Sequence, residues 1–145
     1  MPIPEFRTDG WLPVGHHIAT WEEVDKLFGG NAGSRRANLT RKLLDLCNAL
    51  RSLNITGKLV LDGSYISSKP EPGDFDVLLI GPPDIQARKD IESELAHLLD
   101  AERAEKEGGY TLYYASSQSP MLPLLYTLFD FSKENVPKGV LEVNI

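Results

Sequence analysis

The chain has 145 residues, a net charge of −6, 41% apolar residues and 25% charged residues. That length suits one domain around a single core, and the apolar to charged balance is that of an ordinary globular protein. An acidic balance argues against a protein with an extended nucleic-acid surface, whose usual mark is a basic excess, and no apolar run approaches the ~18 residues of a membrane span.

The opening "MPIPEFRTDGW" lacks the basic start and apolar middle of a secretory signal, so the expected compartment is the cytoplasm. Residues 1–19, broken by Pro2, Pro4, Gly10, Pro13 and Gly15, read as an extended arm lying across the domain or onto a partner. His16 and His17 fall in this arm and, being adjacent, read as surface-loop residues rather than a metal pair. Thr20 followed by Glu23 is a capping-box start, and Gly29-Gly30 is a helix stop, which predicts a short helix over "TWEEVDKLF". A longer helix is expected from Ser34 to Leu53, where Leu39, Leu43, Leu46, Cys47, Leu50 and Leu53 recur at three- and four-residue steps. Cys47 cannot form an internal disulfide, no Cys/His cluster suggests zinc, and its place on this apolar face points to packing. The opposite face carries Arg35, Arg36, Arg41, Lys42 and Arg51. It reads as a solvated charged face, with the sharper alternative that its first arginines meet a phosphate or an acidic partner.

"KLVLDG" at 58–63 and "FDVLLIG" at 75–81 are strand-length apolar runs ending in turn residues. A third helix is expected between Pro83 and Lys106, capped by Asp84 and packed through Ile91, Leu95, Leu98 and Leu99. Beyond Gly108-Gly109, "YTLYYA", "LPLLYTLFDF" and "GVLEVNI" read as three strands, the last two paired as a hairpin across "SKENVPKG". The expected fold is α/β or α+β: a single domain over 1–145, with a mixed sheet, helices packed on it and an N-terminal helical segment.

The chemistry concentrates in "LDGSYISSKPEPGDFDVLLI", residues 61–80. Side chains alternate along a strand, so Asp74 and Asp76 share one side while Phe75 and Val77 take the other. Two carboxylates held together in a partly buried place repel each other and lose hydration unless a cation joins them, and hard oxygen ligands suit Mg²⁺ or Mn²⁺. Gly63 permits close approach of a phosphate to the backbone, and Ser64 adds a hydroxyl to an anion-binding turn. Either feature alone is an ordinary turn; together they point to a nucleotide. Lys69, in the loop between them, is a candidate phosphate contact, and Asp62 is placed either to organise the turn or to touch a metal.

Gly63-Ser64, a gap of nine residues and then Asp74-Phe75-Asp76-Val77, after the strand "LVLD", resembles the signature of the nucleotidyltransferase superfamily related to DNA polymerase beta, of the minimal nucleotidyltransferase type. With its flanking elements the resemblance covers about 50 residues. The arm and the "TWEEVDKLFGG" helix are also similar to a group of small bacterial proteins of unassigned activity. The resemblance implies that Asp74 and Asp76 bind two divalent ions clamping a nucleoside triphosphate, that Gly63 and Ser64 hold its β- and γ-phosphates, and that a nucleoside monophosphate passes to a hydroxyl acceptor. Active members carry a third carboxylate on a later strand. "YTLYYASSQSP" contains no acid, which leaves Asp130 in "LFDF" and Glu142 in "VLEV" as candidates. The alternative is a module of this fold that has lost turnover and acts as a binding or antitoxin-like partner of another protein. A short chain with no acceptor-binding domain also makes a protein partner or a homo-oligomer an expectation.

Overall fold

The computed structural model describes residues 3–145, and Gln86 without its side chain; of the arm residues named above, Pro2 lies outside the described residues. Five strands form one mixed sheet: β1 (Gly15–Ile18), β2 (Lys58–Asp62), β3 (Asp76–Gly81), β4 (Thr111–Ser116) and β5 (Gly139–Asn144), in the order β1-β5-β2-β3-β4. The central strand β2 runs antiparallel to both its neighbours, β5 and β3, while β1 lies parallel to β5 and β4 parallel to β3.

The first face of this sheet packs on α1 (Trp21–Phe28) and α2 (Arg35–Ser52). α1 starts where the capping box predicts: the Thr20 hydroxyl accepts from Glu23 N at 3.2 Å and Glu23 accepts from Thr20 N at 3.0 Å. Ser34 caps α2 by accepting from Ala37 N at 3.1 Å. The stripe of Leu39, Leu43, Leu46, Cys47 and Leu50 is buried, against Leu59, Leu61, Val77, Leu79 and Leu141 for the leucines. These sheet residues are the odd-numbered positions of their strands, as a period of two requires.

The second face is covered by α5 (Leu122–Phe129), and here the sequence expectation fails. "LPLLYTLFDF" is a helix and not a strand, so no hairpin joins it to β5; only an isolated bridge, Phe131 to Pro137, crosses the intervening loop. Leu122, Leu125, Tyr126 and Phe129 lie at helical spacing within a run so uniformly apolar that its period is hard to see. They close over Val60, Leu78, Ile80, Ala115 and Val140.

The single helix expected over 83–106 is broken into 3₁₀ turns at Ile85–Ala87 and Lys89–Ile91, α3 (Glu92–Leu98), the one-turn α4 (Ala101–Arg103) and a π turn at Ala104–Gly108. Asp84 makes no side-chain cap. Asp100 restarts the chain as a cap, accepting from Glu102 N and Arg103 N at 3.0 and 3.1 Å, and Arg88 ties the first turns to the end of α2 through Leu53 O at 2.8 Å. The arm lies across the domain, with Trp11 bridged to Ser67, but it also ends in regular structure: His16 and His17 sit on β1 rather than in a loop. No helix among the described residues is long and apolar enough to cross a membrane.

Candidate functional site

β2 ends at Asp62, and the next residue turns the chain. Gly63 has φ +93°, a region L side chains rarely occupy, and a Cβ there would stand 3.3 Å from Asp76 N and 3.4 Å from Phe75 Cα. The glycine therefore lets the turn lie directly against the entry to β3. Ser64 opens a 3₁₀ turn whose Tyr65 and Ile66 are buried, and its hydroxyl accepts from Gly73 N at 3.2 Å, closing the loop between the two halves of the motif. Phe75 is fully buried between Tyr65 and Tyr110, stacked on the latter at 4.8 Å. With Phe75 anchored in the core under the first face, Asp74 and Asp76 are directed to the opposite side, at the mouth of β3.

Two arginines fix this loop, by contacts that neither a solvated face nor a phosphate site anticipates. Arg36 is buried and donates to the carbonyls of Phe28 (3.3 Å), Tyr65 (2.8 Å), Ser67 (2.7 Å) and Lys69 (3.0 Å). Arg35 donates to Pro72 O at 2.6 Å and to Gly73 O. An irregular loop offers carbonyls that no ladder satisfies, and a guanidinium with five N–H donors satisfies several at once. From the other side Ser68 N donates to Gly10 O at 2.9 Å, so the arm clasps the same loop.

The electrostatics of the mouth centre on Asp76. Burial, and next the charge of Asp74, push its carboxyl above the ordinary 3.8, while the neighbouring Thr111 hydroxyl and the charge of Lys133 pull the other way. Thr111 stands level with Asp76 on β4. Neither Asp74 nor Asp76 forms an ion pair among the described residues. A half-buried carboxylate beside a second acid, with no ion-pair partner, is poised to accept a cation.

The remaining sequence candidates lie elsewhere. Lys69 contributes its carbonyl to Arg36, and the residue is exposed. Asp62 lies directly opposite Asp76 in the β2/β3 ladder, but its carboxylate accepts from the buried Lys138 ammonium. Lys138 Nζ also donates to Phe129 O at 2.9 Å and stands 5.3 Å above the Trp11 ring. Burial pulls this ammonium down to about 8, and the Asp62 carboxylate acts against that fall.

Asp130 and Glu142 gather around His16 rather than the mouth. Asp130, expected within a strand, instead ends α5, and its carboxylate lies 2.8 Å from His16 Nε2. Glu142 lies 3.5 Å from His16 Nδ1, 3.4 Å from Lys58 Nζ and 3.4 Å from the Tyr126 hydroxyl, whose ring stacks on His16 at 4.7 Å. Glu142 is level with Val60, and β2 separates β5 from β3. Its backbone is therefore offset from Asp76 by roughly 10 Å across the sheet and ~7 Å along it. No group of three His, Cys, Asp or Glu residues able to hold a metal forms among the described residues.

Sequence reasoning missed Thr111, Lys133 and Lys138. Thr111 follows a Gly-Gly break and carried no charge to draw notice. The two lysines lay in a loop read as a hairpin turn, and only the helical period of α5 could have redirected that loop toward the mouth. Surface hollows of about 280 and 440 Å³ lie beside α2, lined in one case by Lys42, Asp45 and Tyr110 and in the other by Gly33, Arg35 and Arg41. Neither is lined by Asp74 or Asp76, although Arg35 connects the second to the loop.

Compared with known proteins, residues 4–144 match the model of a family of unknown function, DUF6932, and the chain belongs to that family. Searches of curated proteins and of solved structures return no match.

Proposed function

We propose that this DUF6932 member is a nucleotidyltransferase of minimal type, which uses Mg²⁺ or Mn²⁺ to transfer a nucleoside monophosphate from a nucleoside triphosphate to a hydroxyl acceptor. One observation carries the reading: a half-buried carboxylate pair without an ion-pair partner, Asp74 and Asp76, is held against a left-handed glycine turn, Gly63-Ser64, at the spacing of the resembled signature.

The donor set fits a hard divalent ion in part. Carboxylate oxygens of Asp74 and Asp76 are the right ligands, and two of them suit an ion that completes its shell with triphosphate oxygens and water rather than with a full protein cage. Such an ion would stabilise the negative charge that develops as the α-phosphate is attacked. The chain's own residues supply the positioning. Thr111, level with Asp76 on β4, is the neighbouring hydroxyl that favours the ionised Asp76 carboxylate. Gly63 lets the turn pass directly against the entry to β3, and Ser64, tied to Gly73, offers its hydroxyl at the same turn. The positive charge of Lys133, which acts on Asp76, suits the triphosphate.

The test is thermal melting with Mg²⁺ and each NTP, followed by incubation with α-labelled NTPs, with and without the product of the neighbouring gene. A rise in Tm that disappears in Asp76→Asn, together with label transfer that disappears in Asp74→Ala, is the expected result. A rise that survives Asp76→Asn would place the nucleotide elsewhere.

A second reading has a specific observation behind it. The place level with Asp76 on β4 is Thr111, and Asp130 and Glu142 are engaged by His16 and Lys58, so no third acid joins the pair. A nucleotide-binding module without turnover, complexed with another protein in an antitoxin-like way, matches that deficit. Nucleotide-dependent stabilisation without transfer, plus a stoichiometric complex with the neighbouring gene product, would favour it.

A further inference from the structure

Asp62 is the carboxylate closest in register to the proposed site, since it faces Asp76 across the β2/β3 ladder on the same side of the sheet. Their surroundings differ. Asp76 stands level with Thr111 on β4, whereas Asp62 is held by Lys138, the residue just before β5, on the opposite flank of the β2/β3 seam. Lys138 is 2% exposed and its ammonium is anchored three times: on Asp62, on Phe129 O, and in a cation–π contact with Trp11 of the arm. Its backbone is equally fixed, N donating to Asp130 O at 2.9 Å.

A buried lysine–aspartate pair rarely adds net stability over apolar residues of similar size, because desolvation offsets the attraction. Placement gives this pair a more specific consequence. Asp62, Asp74 and Asp76 together carry three negative charges, and the Lys138 ammonium offsets one of them. One divalent ion balances what is left. A second ion would find no free carboxylate here, because the remaining sequence candidates, Asp130 and Glu142, are committed to the His16 cluster.

Resting on the nucleotidyltransferase reading above, we infer that the mouth takes a single divalent cation, and that the Lys138 ammonium supplies on Asp62 the positive charge a second ion would otherwise bring. This departs from the two-ion arrangement that the sequence resemblance implies. Asp62 and Lys138 are then positioning residues, keeping the third carboxylate out of the metal's shell.

Mn²⁺ binding to the intact chain, followed by calorimetry and by the loss of the free-ion electron paramagnetic signal, tests this without any need for turnover. Wild type should bind one Mn²⁺ per chain, and Asp76→Asn should lose it. The double variant Asp62→Asn/Lys138→Met, which removes both buried charges together, should fold and still bind one Mn²⁺ at unchanged affinity. Lys138→Met alone should melt lower, and Mn²⁺ should recover part of the loss by occupying a second site on the liberated Asp62; if that variant does not fold, the double variant still decides. Two ions bound to wild type would overturn the inference while leaving the enzymatic reading in place, and so would loss of binding in the double variant, which would make Asp62 a ligand. No Mn²⁺ binding to wild type, whether alone or with a nucleoside triphosphate, would overturn both.

Discussion

Asp76 and Glu142 lie on one face of the same sheet, each partly buried and each close to another acid, yet their surroundings are built in opposite ways. Glu142 is surrounded by polar partners: Lys58 offers its ammonium, His16 a ring nitrogen and Tyr126 a hydroxyl, and the neighbouring Asp130 shares the same imidazole. Asp76 has Thr111 and a more distant Lys133, against burial and the like charge of Asp74. A carboxylate cluster completed from within the chain is a structural joint, here pinning β1 and the end of α5 to β5. A cluster left incomplete, on a loop braced by two arginines, is where a cation from outside has something to gain.

Variants that break one region and spare the other sharpen this contrast. The largest effect is expected from Arg36→Met, which strips the donors from several buried loop carbonyls and should lower stability on the order of 3–5 kcal/mol in urea denaturation, taking the mouth with it. Arg36→Lys should rescue only a minor part, since an ammonium cannot span the same carbonyls.

Gly63→Ala should cost about 1–3 kcal/mol through its left-handed φ, and should also weaken any Mg²⁺–nucleotide stabilisation, because the added methyl crowds the Asp76 amide. Glu142→Gln is expected to cost about 1 kcal/mol while leaving that stabilisation intact. A loss of nucleotide response in Glu142→Gln would mean that the two regions are coupled.

The smallest effect has the opposite sign. Because Asp76 is raised above its ordinary 3.8 in the folded chain, its ionised form opposes folding at pH values above the raised pKa, and this penalty fades as pH falls through the raised value toward 3.8. Asp76→Asn should therefore raise the Tm of the metal-free protein by a few degrees at pH 7, with the gain vanishing near pH 4. A variant that melts lower at pH 7 would show that the mouth is already neutralised.

The elements that set the first sheet face were readable because each rested on local chemistry: a capping box at Thr20, a leucine stripe on α2 and strand-length apolar runs at β2 and β3. The Gly63-Ser64 and Asp74/Asp76 pairing was readable as well, since register follows from strand parity. What escaped depends on contacts between residues far apart in sequence. Arg36 reads as one more charge on a helix until the loop folds over it, and Lys138 reads as a turn lysine until β5 places it beside Asp62. α5 escaped for another reason: nearly all its residues are apolar, so the contrast that reveals a helical period is missing. That misreading also displaced Asp130 from a helix end to a strand.

The pairing of β1 with β5 joins residues 15–18 to residues 139–142, and in the strand order β1 has no other neighbour. During synthesis, then, the emerging arm has no strand to join until residues 139–142 have been made, and a closure of such long sequence separation comes late in folding. The amides of β1 should be among the first in the sheet to exchange with deuterium, and ribosome-bound chains ending before Gly139 should leave Trp11 and His16 open to protease while α1 and α2 are already protected.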